Sequence, residues 1–347
     1  MCPARSDNIY LDNGYLDIVG LVDTQVPFIF VAAARGTGKT YGACELAIDR
    51  YKKGLGRFML IRRTNTQAEI IGTNGFSPFE VLDVDTVVKR MNKYVTGVFL
   101  LDESGEPEAF PCGYICGLST FANVRGFDGC SVSMMIYDEF IPEQHEKSFA
   151  KDEAEALWNA YETVNRNREF NGAEPVKLLC LANSNRLDND YFLSLGIVGT
   201  AWDMMRSGRE LRVMYERGIA LCLPTKSIIS QRKAETALYK AVSDGRFKDM
   251  ALSNDFGFDS RNIGTRRINE YRPVVKVGEI CIYEHKSRYE FYVSRHKSGR
   301  VPEFQPTSED LARFRHSFMW LWRAALADAV IYEDAVSRAL FDKYYEK

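Results

Sequence analysis

Apolar residues along the chain fall into two patterns: short continuous runs ending in glycine or charge, and stretches with an apolar residue every three or four positions. The first long run, Pro27 to Ala34, is rich in Phe, Ile and Val and predicts a buried strand. It breaks at Arg35-Gly36-Thr37-Gly38-Lys39-Thr40, and Tyr41 to Tyr51 has helical spacing. Lys52-Lys53-Gly54 then stops the helix, its basic residues complementing the helix dipole. Arg57 to Arg63 (RFMLIRR) predicts the next strand. The spacing predicts a helix near Val81 to Tyr94. Strand, turn and strand follow over Val95–Leu101 and Tyr114–Leu118, a hairpin decorating the main sheet. Cys130 to Tyr137 (CSVSMMIY) is another strand, ending in Asp138-Glu139. Residues 150–164 form a helix with Ala154, Leu157, Tyr161 and Val164 on one face. Lys177 to Ala182 is a strand ending at Asn183.

Further along, Leu211 to Leu223 contains one strand closing this core, Pro224 to Gln231 reads as a linker, and a helix follows near Lys233 to Val242. Val274–Val277, Glu279–Tyr283 and Glu290–Ser294 are short strands with polar turns. Two helices end the chain, Ser308 to Ala329 and Ile331 to Tyr345. Phe314, Phe318, Leu321 and Ala325 form an apolar stripe on the first, widened by Trp320 and Trp322. The pattern divides the chain into a core domain, 1–205, a closing region, 206–243, and a smaller α+β domain, 244–347. The fold class expected of the first is α/β with a mostly parallel sheet.

Strand, glycine loop, Gly-Lys-Thr and helix make a phosphate-cradling P-loop. The amides of Arg35 to Thr40 and the helix N-terminus would face the phosphates. Lys39 would reach the β- and γ-phosphates, and the Thr40 hydroxyl would hold Mg²⁺. Ala33 stands where the usual pattern opens with glycine; it limits the backbone but leaves the loop possible. Asp138-Glu139, closing an apolar strand downstream, matches the Walker B pattern. Asp138 would hold Mg²⁺, and Glu139 would orient or deprotonate the attacking water, which favours ATP hydrolysis over simple binding. Alone, an acidic pair after a strand would merely begin a solvated loop. Asn183 sits where P-loop ATPases place a γ-phosphate sensor, though a strand-capping Asn would look the same. Arg62 and Arg63, at the end of their strand, could meet phosphate or DNA or pair with carboxylates. Tyr10 and Tyr15, in an amphipathic lead-in, could stack on a base; core packing is the simpler use.

Composition narrows the classes. At 347 residues, 46% hydrophobic and 27% charged, the chain is of ordinary globular make-up. No stretch has the apolar length of a membrane span, and the N-terminal residues lack the apolar core of a signal peptide. Eight scattered cysteines, with only Cys112 and Cys116 close, fit free thiols better than zinc. The net charge of −2 is uneven: residues 1–224 carry 23 basic and 30 acidic side chains, residues 225–347 carry 22 and 17. Residues 261–300 alone hold ten basic and four acidic, including Arg261, Arg266, Arg267 and Arg272. Such asymmetry suits a second half that meets a polyanion, or simply a solvated basic surface. The acids there, Glu279, Glu284, Glu290 and Asp310, form no Asp-x-Glu arrangement of the kind a two-metal nuclease uses.

Taken together, AARGTGKTY (33–41), FMLIRR (58–63), MMIYDEFI (134–141), TVNRNRE (163–169), CLANSN (180–185) and NDYF (189–192) resemble the DNA-packaging (encapsidation) ATPases of phi29-type phages. The resemblance covers roughly the first 200 residues in order and spacing; the C-terminal half matches mainly in length and pattern. It implies an additional-strand P-loop core of the FtsK/HerA and terminase kind, followed by a domain like an RNase H nuclease that has lost its metal-binding acids. It implies ATP and Mg²⁺ as cofactors and a ring, of five subunits by family analogy, that drives double-stranded DNA through the portal into a procapsid. Some relatives use a scaffold RNA. The implied location is the host cytoplasm, transiently on the procapsid and not in a membrane. By position, Arg166 matches an arginine finger given to the neighbouring subunit's ATP, with Arg168 as the alternative. Arg125 matches a basic residue that also acts across the interface. Two other readings stay open: a terminase-type motor with an active nuclease, and a nucleotide-dependent DNA-binding or regulatory module without motor activity.

Overall fold

The computed structural model describes residues 8–124, 129–142, 149–150, 152–183, 187, 189–224, 229, 232, 234–241 and 262–345. The chain divides into two compact units, Met1–Asn185 with Met204–Gly257, and Arg186–Asp203 with Phe258–Lys347.

The first unit is built on a nine-stranded sheet. Its strands are β1 (Phe28–Ala33), β2 (Arg57–Arg62), β3 (Thr86–Arg90), β4 (Val95–Leu100), β5 (Gly113–Gly117), β6 (Val132–Asp138), β7 (Lys177–Asn183), β8 (Leu211–Met214) and β9 (Ile219–Cys222). They lie in the order β3-β4-β5-β2-β6-β7-β1-β9-β8. The six from β5 to β9 run parallel, while β3, β4 and β8 are antiparallel at the margins. In the parallel centre, β1, β2, β6 and β7 are buried almost throughout, as continuous apolar runs require when both sheet faces are covered. β7 lies between the P-loop strand β1 and β6, which is the additional-strand arrangement.

Three local expectations are corrected. Residues 81–94 contain β3, not a helix; Val88 is buried by pairing with Val98 of β4, and cross-strand burial outweighs the helical spacing. β4 and β5 are not a decoration, because β5 pairs in parallel with β2 and belongs to the main sheet. Leu211–Leu223 holds two antiparallel strands, since Gly218 takes φ +64 and turns the chain.

Four helices of this unit matter for the site or frame it: α1 (Ile18–Val22), α2 (Lys39–Lys52), α3 (Asn65–Ile71) and α4 (Glu153–Asn165). Thr64 and Gln67 form a reciprocal capping box on α3. Asp152 caps α4 through the Glu155 amide, 2.9 Å away.

The second unit has a five-stranded sheet of β10 (Tyr271–Val277), β11 (Ile280–His285), β12 (Phe291–Ser294), β13 (Glu303–Phe304) and β14 (Val330–Tyr332), ordered β13-β10-β11-β12-β14. β10 to β12 form an antiparallel meander, with β13 and β14 added in parallel. Two helices, Ser308–Leu326 and Ala335–Tyr345, pack their apolar faces into its core, where Phe314 and Leu321 are fully buried. Here too the sequence reading needs correction: Ile331 lies in β14 rather than opening the last helix. The unit is α+β. Among the described residues no helix is long and apolar enough to cross a membrane.

Candidate nucleotide site

β1 delivers the chain to the sheet edge, and α2 begins immediately after the loop with Gly38 as its N-cap. Gly36 and Gly38 have φ of +78 and +83, a conformation only glycine takes without strain. Gly38 has a second reason to lack a side chain. A Cβ there would come within 2.9 Å of the Tyr15 ring, which covers the loop from behind. The lead-in is tied down where the Leu16 amide donates to the Thr37 carbonyl at 3.0 Å. Tyr15 nevertheless stays 41% exposed, whereas Tyr10 is half-buried and bonds Glu210.

Arg35, Gly36, Gly38, Lys39, Thr40, Asp138, Glu139 and Asn183 line one cavity of about 390 Å³, with Tyr41 and Ala182 completing it. Thr37 alone of the loop residues is turned inward; it is fully buried and its hydroxyl donates to the Ala34 carbonyl at 3.0 Å. The Lys39 ammonium donates to the Ala33 and Ala34 carbonyls at 2.9 and 2.8 Å and to Asn183 Oδ1 at 3.4 Å. That last contact follows from strand order: Asn183 ends β7 directly beside Ala33 of β1.

Thr40 Oγ1 donates to the Asp138 carboxylate, 3.2 and 3.1 Å from its two oxygens. Asp138 is 3% exposed at the end of β6. These are hard oxygen donors facing one another, and they are the residues that could hold Mg²⁺. Glu139 follows in the left-handed region, φ +59, a conformation costing roughly 1–3 kcal/mol in a non-glycine residue. Its backbone amide donates to Asp138 Oδ1 at 3.1 Å. Beneath the site, burial first and the Asp138 charge second push the Cys44 thiol well above its ordinary pKa, so it stays protonated.

Arg62 resolves one open reading. It pairs with carboxylates: Nη1 lies 2.6 Å from Glu139 Oε2 and Nη2 3.4 Å from Asp138 Oδ2. Its Nε is buried with no acceptor among the described residues. Arg63 must be corrected as a DNA contact. It is 1% exposed, and its guanidinium grips Glu153 at 2.9 and 2.6 Å while lying over the Phe149 ring. A buried, bidentate arginine has no surface left for a phosphate backbone.

The two candidate finger arginines part company as well. Arg168 Nη2 donates to the Cys130 and Val132 carbonyls, both at 2.6 Å, and so staples the start of β6. Arg166 is exposed, at φ +47, just past the end of α4. Neither is brought to the P-loop of its own chain. Asn165 accepts from the Val176 amide at the start of β7, so this turn sits at the sheet edge opposite Asp138 and Asn183. Seven residues of β6 separate the two edges, about 20 Å of extended chain. Arg125 and Arg261 lie outside the described residues. In the second unit Arg267 is exposed on the approach to β10, and Arg266 lies 3.9 Å from Glu290.

A family profile described as Podovirus DNA encapsidation protein (Gp16) matches residues 15–294. The chain belongs to that family. Within this encapsidation family it is 26% identical over 250 residues to the DNA packaging protein of Bacillus phage phi29, covering 72% of this chain and 68% of that one. The DNA packaging protein of Bacillus phage PZA gives the same figures. Among solved structures, the bacteriophage Phi-29 viral genome packaging motor assembly superposes with a TM-score of 0.64 at 18% identity, over 97% of this chain and 100% of that one. The Phi-28 gp11 DNA packaging motor gives 0.62 at 16% identity, over 94% and 96%. The chain is thus a phage DNA-packaging protein on a P-loop core, as its motifs led one to expect.

Proposed function

We propose that the protein is an ATP-driven double-stranded DNA translocase that works as a homo-oligomeric ring and moves the phage genome through the portal into a procapsid. The observation that carries this reading is the convergence of Lys39, Thr40, Asp138, Glu139 and Asn183 on one cavity, in a chain of the DNA encapsidation family. Lys39 and the loop amides bind the β- and γ-phosphates of ATP, and Thr40 and Asp138 hold the cation. Mg²⁺ supplies charge neutralisation of the phosphates and orientation of the γ-phosphoryl group. Glu139 accepts the proton of the attacking water. To do so it must exchange the Arg62 guanidinium for that water, because a carboxylate held at 2.6 Å by arginine has an oxygen committed elsewhere. Asn183, within reach of Lys39, reads the γ-phosphate.

Arg166 serves the site of the next subunit. Its place at the far sheet edge supports that assignment over action on its own nucleotide. An arginine finger contributes about 10³–10⁵ in rate in related phosphoryl transfers. Arg125 acts across the same interface. The segment 244–347 is a platform for DNA or the portal, with Arg261, Arg266 and Arg267 as phosphate contacts. Among the described residues, three of its acids are engaged structurally, Glu284 with Arg272, Glu290 with the Tyr271 hydroxyl and Glu333 with Ser294, which supports a platform over a working nuclease. DNA contacts through phosphates make binding sequence-independent and salt-sensitive. The protein works in the host cytoplasm, transiently on the procapsid.

The test is ATP turnover by the wild type and Glu139→Gln, with and without double-stranded DNA. DNA should stimulate the wild type, and the variant should bind ATP yet lose about 10²–10⁴ in turnover. Normal hydrolysis by the variant, or indifference of the wild type to DNA, would overturn the reading.

A further inference from the structure

The turn after α4 is held by a network of hydrogen bonds, among them Arg166 Nε donating to the Thr163 carbonyl at 3.2 Å. Asn165, 3% exposed, donates to Glu169 Oε2 at 3.0 Å and accepts from the Val176 amide at 2.9 Å. Arg168 is stapled to the start of β6. Backbone bonds from Asn171 to Asn167 and Arg168, and from Gly172 to Glu169, close the turn. On this rigid base Phe170 is 91% exposed, the most exposed large apolar side chain among the described residues. A phenylalanine held out in water, on a turn that has no freedom to fold it back, forfeits the burial of roughly 150–250 Å².

We infer that Phe170 is an anchor between subunits, seated against Tyr41 beside the P-loop of a second copy of this chain. The inference rests on the reading of Arg166 as acting on a neighbour's nucleotide. Arg166 and Phe170 lie in one turn, so an Arg166 that reaches a neighbour's γ-phosphate brings Phe170 to the rim of the same cavity. That rim offers an aromatic partner. Tyr41, next to Thr40, is 44% exposed on the cavity wall, with Tyr15 at 41% exposure behind the loop. Exposed Glu45 stands one helical turn along from Tyr41 on the same face of α2, so the proposed seat would set an acid against the turn that carries Arg166. An aromatic anchor meeting an aromatic seat, rimmed by opposite charges, is the composition of an interface hot spot. The Phe170 anchor sets how tightly neighbours hold one another, and Arg166 sets what they do to ATP.

The test is sedimentation velocity of the full chain with Mg²⁺ and a non-hydrolysable ATP analogue, over a range of concentrations. Phe170→Ala should weaken self-association about tenfold or more, and Phe170→Leu should restore most of it. Tyr41→Ala should weaken it similarly, and the double variant should be little worse than either single one. Circular dichroism melts identical to wild type establish that Phe170→Ala is folded. Association unchanged by Phe170→Ala overturns the inference. So does full additivity with Tyr41→Ala, or a wild type that stays monomeric throughout. Because this readout needs no turnover, it separates from the Arg166 assignment. If mixed Arg166→Ala and Lys39→Ala subunits regain no ATPase activity, the shared active site fails while the sedimentation result still judges Phe170.

Discussion

Replacing Arg63 by methionine separates a structural arginine from a DNA-contacting one. The Arg63 and Glu153 side chains are 2% and 4% exposed, and two hydrogen bonds of 2.9 and 2.6 Å join them. The Phe149 amide adds a third contact to the same carboxylate at 3.0 Å. Methionine keeps most of the aliphatic stem, so little apolar burial is lost; what goes is the partner of a buried carboxylate. An uncompensated charge of this kind costs about 3–5 kcal/mol. With a urea dependence of about 2 kcal/mol per molar, the midpoint should fall by roughly 2 M. The double variant Arg63→Met/Glu153→Met removes both charges and should recover most of that loss, less about 0.3–1 kcal/mol for the acid at the start of α4. The assay is urea unfolding followed by circular dichroism, run beside DNA binding against salt. A loss below about 1 kcal/mol with a salt slope lower by about one phosphate would refute the reasoning and return Arg63 to the DNA surface.

Three further outcomes are expected. Gly38→Ala should abolish tight binding of a fluorescent ATP analogue, and adding Tyr15→Ala should relieve the clash without restoring full affinity, because a Cβ remains strained at φ +83. Arg168→Ala should lower stability by about 1–3 kcal/mol by orphaning the Cys130 and Val132 carbonyls, whereas Arg166→Ala should melt like wild type and lose turnover. Burial, then the Glu290 contact, raises the Tyr271 hydroxyl to about 12 from the ordinary 10. A raised folded-state value means the unfolded chain ionises first. Tyr271 therefore supports stability fully below pH 10, and that support is lost as pH rises through about 12. Tyr271→Phe should flatten the loss of stability with pH across that window.

The nucleotide-binding core was legible because its signals are local and chemically specific. A buried strand, two glycines and Lys39-Thr40 fix the P-loop, and an apolar run into Asp138-Glu139 fixes the second acid-bearing strand. Even the neighbourhood of Asn183 and Lys39 follows once β7 is seated beside β1. What the chain hid is what depends on partners distant in sequence. Nothing around Val88 announces pairing with β4, so helical spacing over 81–94 misled. Arg62 and Arg63 are neighbours of the same type, yet one meets Asp138 and Glu139 and the other is sealed against Glu153. Arg62 ends β2 while Arg63 lies in the bend just past it, and only the fold says what waits beside each. Arg166 and Arg168 differ for the same reason: the difference lies in the carbonyls of β6, which sequence does not place.

The most direct measurement is protection of phage DNA from nuclease by purified procapsids, with ATP and either wild-type protein or Glu139→Gln. The wild type should yield full-length protected DNA that requires ATP, and the variant none. Protection without ATP, or undiminished protection by Glu139→Gln, would contradict a motor powered by hydrolysis in this cavity.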